Sequence, residues 1–193
     1  MTDRPIIFSA PMVLALIAGR KTQTRRLATS PLRRCEVGDR LYAREAFGVA
    51  SIFTDVVEVR YQASERGCYT DFVEQVPVAA ATGAKVTWPK YRPSIHRPRW
   101  ASRLTLIIEA VRAEPLQAIS EADAVAEGIE FVTETSSGRF YRNYRGGDCP
   151  MMAWGSYRSL WESLHGEESW AENPDVVALS FRVVRENIDR IAA

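Results

Sequence analysis

Short stretches of two-residue periodicity, interleaved with isolated helical stretches and never repeated, constrain this 193-residue chain most. Ile6-Ile7-Phe8, Arg40 to Glu45, Val56 to Tyr61, Arg103 to Val111 and Val176 to Val184 read as strands, alternating or continuously apolar. Thr24 to Leu27 begins another. Pro11 to Ala18 reads as a short helix, because proline suits a first turn and Gly19 is placed to end it. Ser120 caps a second helix, Glu121 to Glu127, closed by Gly128. Its first-turn acids, Glu121 and Asp123, complement the helix dipole. Met151 to Leu164 carries Trp154, Tyr157, Leu160, Trp161 and Leu164 at helical spacing, which predicts a third helix with an aromatic core face.

Residues 62–100 hold no long periodic element, and Pro89, Pro93 and Pro98 make 88–100 an irregular, semi-rigid loop. Residues 130–150 read as a polar, glycine-bearing excursion. Strands and two or three helices in mixed order predict an α+β fold, a small curved sheet or barrel. The length suits one domain over 1–193, with insertions at about 62–100 and 130–150.

The net charge of +1 conceals two unlike halves: residues 1–108 balance at +8 and residues 109–193 at −7. Such asymmetry predicts a basic face for an anionic partner. Of the 25 basic residues all but Lys21, Lys85 and Lys90 are arginine. GC-rich codon usage produces the same bias, so it counts little toward phosphate recognition, but it makes each lysine an exception. Cys35, Cys68 and Cys149 are odd in number and widely spaced, unlike a disulfide framework or a zinc site. With only His96 and His165 beside them, neither a metal nor another cofactor is expected. No signal-peptide pattern and no apolar run of about 18 residues is present, which predicts a cytoplasmic protein without a membrane partner. Oligomeric state is not legible.

Three features bear on chemistry. Six basic residues (Arg20, Lys21, Arg25, Arg26, Arg33 and Arg34) fall in a stretch with no acid between Asp3 and Glu36. If 21–26 is extended, Lys21, Gln23 and Arg25 share one face, and Thr22, Thr24 and Arg26 share the other. A solvated basic turn would look the same. Residues 85–103 interleave six basic residues and His96 with Trp88, Tyr91 and Trp100, a pattern that suits a nucleic-acid backbone with stacked bases. A loop that packs its tryptophans and solvates its charges fits equally. Glu127 sits at a helix C-terminus, where the dipole disfavours a carboxylate by a few tenths of a kcal/mol when exposed.

Leu16 to Arg26, Val37-Gly38-Asp39, the 104–111 strand, the Leu116…Glu127-Gly128-Ile129 segment and the 176–184 strand together resemble the ASCH domain family. Pro5 to Ser9, Pro93 to Arg103 and Asn173-Pro174 extend the resemblance to the longer ASCH-like proteins of phages and prophages. It covers nearly the whole chain and implies a PUA-like mixed β-barrel with flanking helices that binds RNA. The family's G-x-K-x-x-E-x-R signature appears as Gly19, Lys21 and Arg26, with Thr24 in place of the glutamate. That departure is similar to a small branch that hydrolyses the amide of N4-acetylcytidine, and it implies Lys21, Thr24 and Glu127 as the catalytic set.

The leading expectation is therefore a basic cleft that binds RNA or a modified nucleoside. Its contacts would come from Arg20, Arg25, Arg26, Ser94, His96, Arg97, Arg99, Trp100 and Arg103. The alternative is an amidohydrolase acting through Lys21, Thr24 and Glu127. A ribonuclease and a phage accessory module that binds protein are further alternatives.

Overall fold

Ten strands and three α-helices order the chain in a computed structural model that describes residues 1–64, 73–147 and 150–191. They fall into two compact units, each assembled from separated segments: Met1–Ile17, Gly38–Ile107 and Val183–Ala193, then Ala18–Val37 and Ile108–Arg182.

In the first unit β1 (Asp3–Ile7) runs parallel to β3 (Arg40–Arg44), with Ile6 opposite Ala43. The opening residues of β7 (Thr105–Pro115) pair antiparallel with β3, Leu106 opposite Leu41. Helix α1 (Ala10–Ile17) buries Val13, Ala15 and Leu16, and Gly19 follows at φ +70°, a conformation that glycine adopts without strain. Three antiparallel strands, β4 (Phe47–Ile52), β5 (Val56–Tyr61) and β6 (Val73–Pro77), form a second sheet. Strict alternation in β5 turns Val57, Val59 and Tyr61 inward beside Phe47, Val49 and Val76. Burying each such side chain contributes about 1.5–3 kcal/mol.

The second unit holds β2 (Gln23–Leu27), antiparallel to β10 (Asp175–Val184) with Thr24 opposite Leu179. The remainder of β7, helix α2 (Glu121–Ala126), the hairpin β8 (Phe131–Thr135) and β9 (Gly138–Tyr141), and helix α3 (Ala153–His165) complete it. The Ser120 hydroxyl accepts the Asp123 N–H at 3.1 Å, the cap expected for α2. Leu116, Ile119, Ala124, Tyr157, Trp161 and Trp170 build this unit's core.

The chain is thus mixed α+β, and in neither unit do the strands close into a barrel among the described residues. Two expectations are filled in and one is corrected. Residues 62–100 contain β6, because Val73 to Pro77 finds a pairing partner in β5. The excursion at 130–150 contains the β8–β9 hairpin. On α3 only Tyr157 and Trp161 of the five spaced residues are buried. Leu164 lies exposed in the last turn, Leu160 is half-buried, and Trp154 stacks on Trp170 at 6.0 Å while 45 % exposed. Cys35 is buried and reduced, while Cys68 and Cys149 lie outside the described residues. No helix is long and apolar enough to cross a membrane among the described residues, and none of their His, Cys, Asp and Glu side chains gather in threes around a metal position.

Candidate functional site

The second unit brings Lys21 to Glu127 across 106 residues of chain. Thr22 donates its N–H to the Ala126 carbonyl at 2.9 Å and accepts from Phe181 N–H at 2.9 Å. Residue 22 is thereby fixed between the end of α2 and β10. Lys21 and Glu127 form a backbone bridge, and the side chains follow. Lys21 Nζ donates to Glu127 Oε2 at 2.9 Å and to the Glu127 carbonyl at 2.7 Å. Both residues are almost fully buried, 2 % and 4 % exposed, so their attraction is little screened by water. The unfavourably placed helix-end carboxylate has a partner.

Arg25 stands on the same face, with its guanidinium wholly enclosed. It donates to Glu127 Oε1 at 3.2 Å, Glu114 Oε1 at 2.7 Å, Asp123 Oδ2 at 3.2 Å and Gln23 Oε1 at 2.5 Å. Gln23 in turn donates to Asp123 at 3.0 Å and to the Ser180 hydroxyl at 3.1 Å. Arg112 adds a second cation on Asp123 at 2.9 Å. The expected alternation therefore holds within β2, with Gln23 and Arg25 facing α2. Thr24, on the other face and 1 % exposed, accepts from the Arg26 guanidinium at 2.6 Å.

Burial pushes the Lys21 amine below the usual lysine range. The Glu127 carboxylate opposes that shift, while the charges of Arg26 and Arg25 add to it. Burial also drives the Tyr157 hydroxyl well up, and the negative charge of Glu127 reinforces the rise. For Asp123, burial pulls the pKa upward, but the Gln23 hydrogen bond and the charges of Arg25 and Arg112 hold it below the ordinary value. The result is a dry lysine–carboxylate contact inside a ring of fixed charges. Such surroundings adjust a lysine toward proton acceptance.

The remaining expected contacts belong to the first unit and are largely engaged there. Arg97, 2 % exposed, pairs with buried Glu45 at 3.0 Å, and Arg103 donates to both oxygens of that carboxylate at 3.0 Å. Both guanidiniums lie over the Tyr61 ring, at 4.7 and 4.1 Å from its centre. Arg99 bridges Asp3 at 2.5 Å and Asp189 at 2.7 Å. Ser94 and His96 form a short 3-10 turn with Ile95, and Trp100 belongs to the next one. In the second unit Arg20 is exposed.

Sequence reading missed Glu114, Asp123 and Tyr157 as members of the Lys21 surroundings. Asp123 reads as a helix-dipole residue and Tyr157 as core, and both descriptions are also true of them. No family model, no curated protein and no solved structure matches this chain.

Proposed function

We propose that the second unit hydrolyses an exocyclic amide on a modified nucleoside of the N4-acylated cytidine class, with Lys21, Thr24 and Glu127 as its working set. The observation that carries this reading is the enclosed Lys21–Glu127 contact at 2.9 Å. A lysine that only binds phosphate is useful protonated and exposed. One shut from water, with a lowered pKa, is suited to accept a proton. The hydrogen bond from Arg26 to Thr24 Oγ1 favours the ionised form of that hydroxyl.

In the proposed sequence Thr24 Oγ attacks the acyl carbon, and its proton reaches Lys21 through bridging water, because the two side chains leave opposite faces of the strand. The carbon–nitrogen bond breaks as Lys21, oriented by Glu127, returns that proton to the departing amine. Water then cleaves the threonine ester, which releases the carboxylic acid and restores the hydroxyl. The PUA-like architecture implied by the ASCH resemblance belongs to the same proposal.

Incubation with N4-acetylcytidine should release cytidine and acetate in equal amounts. Thr24→Ser should retain turnover and Thr24→Ala should lose it. Absence of turnover by the native chain would refute the activity. Turnover by Thr24→Ala that still depends on Lys21 would transfer the nucleophile to water.

A second reading, binding of RNA or a nucleoside without chemistry, is favoured by the exposed cations Arg20, Arg33 and Arg34 of the same unit. It predicts RNA affinity that falls with salt and is weakened by Arg20→Ala, with no product formed.

A further inference from the structure

The first unit contains a pocket of about 130 Å³ on which Lys85, Arg92, His96 and Trp100 converge. Its walls are fixed by backbone rather than by charge. Phe47 and Arg92 exchange both backbone hydrogen bonds, at 3.2 and 2.7 Å, and the Ala84 N–H to Ala81 carbonyl bond (3.1 Å) closes the turn before Lys85. A 3-10 turn over Ser94–His96 carries the histidine.

The charges here differ from those of every other cation the loop contributes to the described contacts. Arg97 and Arg103 share Glu45, and Arg99 lies between Asp3 and Asp189. Lys85, Arg92 and His96 have no carboxylate partner among the described residues, and the Arg92 guanidinium lies over the Phe47 ring, 5.9 Å from its centre. All three side chains reach solvent, so a ligand can enter. Lys85 and Arg92 are cations, His96 can donate, and no carboxylate answers the three among the described residues. A ligand that complements such a set offers acceptors only and carries negative charge. The volume is that of about four water molecules, enough for one tetrahedral oxyanion.

We propose that this pocket binds a phosphoryl oxyanion, held by Lys85, Arg92 and His96 beside the Trp100 side chain that lines it. The site stands independently of the activity proposed for Lys21, because none of its residues takes part in that chemistry.

The test is titration of the full chain with inorganic phosphate at constant ionic strength, followed through the indole N–H signals in ¹H–¹⁵N spectra. The Trp100 signal, assigned by its loss in Trp100→Phe, should move saturably. Lys85→Ala and Arg92→Ala, both surface changes, should each weaken binding about tenfold without altering the rest of the spectrum. A parallel titration with cytidine 5′-monophosphate identifies the source. Tighter binding than phosphate assigns the site to a nucleotide, and equal binding assigns it to free phosphate. A Trp100 signal that does not move with either probe overturns the proposal. So does a shift that persists unchanged in both alanine variants.

Discussion

The two arginine-rich stretches look alike as text and behave differently as structure. In residues 20–26 Lys21 and Arg25 turn inward on one carboxylate cluster, Glu114, Asp123 and Glu127, while Arg20 stays exposed. In residues 85–103 the cations divide, Arg97, Arg99 and Arg103 holding Glu45, Asp3 and Asp189 while Lys85 and Arg92 have no carboxylate partner among the described residues. The contrast teaches that density of positive charge says little about function until its counter-ions are located. Paired and buried cations hold structure or shift a neighbour's pKa, and unpaired ones remain available to a ligand.

The largest stability change should come from Glu45→Ala. It leaves Arg97 buried without its counter-charge, and loss of one partner from a buried pair costs about 3–5 kcal/mol. Urea unfolding monitored by tryptophan fluorescence measures it, and a loss below about 1 kcal/mol would deny Arg97 its structural role. Arg25→Ala should cost less, about 1–3 kcal/mol, because Glu114 and Asp123 are partly open to water and Lys21 still faces Glu127. If Arg25→Ala proves the more damaging, the ranking of the two stretches is reversed.

Acid unfolding separates the stretches further. Asp123 is held below its ordinary pKa of 3.8, so its contribution is complete above that value and is lost as pH falls through the folded-state pKa. Asp123→Asn should therefore be less stable than the native chain at neutral pH and approach it on acidification. A difference independent of pH would contradict the assigned charge. The smallest effect belongs to exposed Arg20: Arg20→Ala should change stability by less than about 0.5 kcal/mol.

Much of the fold was legible because local rules decided it. The Ser120 cap, the glycine after α1 and the apolar run of β10 each announce an element that the structure contains. Strand β4 was not legible, since Gly48 and Ser51 interrupt the alternation of Phe47-Gly-Val-Ala-Ser-Ile, and its pairing with β5 shifts register between Val49 and Ser51. The site divides in the same way. Lys21 stood out as a rare lysine, and Glu127 as an acid at the wrong end of a helix. Their contact depends on residue 22 bridging α2 and β10, which nothing local encodes. Glu114 and Asp123 escaped for the same reason: their roles arise only when β2 brings Arg25 beside them.

The central claim, that Lys21 and Glu127 move a proton for hydrolysis, is tested most directly by the pH dependence of kcat/KM for N4-acetylcytidine. The native chain should show activity rising with pH through a limb below the 10.5 of an unperturbed lysine, as Lys21 loses its proton. In Glu127→Gln that limb should move to lower pH, because the carboxylate is what raises the Lys21 pKa against burial. A rising limb that is absent, or one that stays in place in Glu127→Gln, would contradict the account.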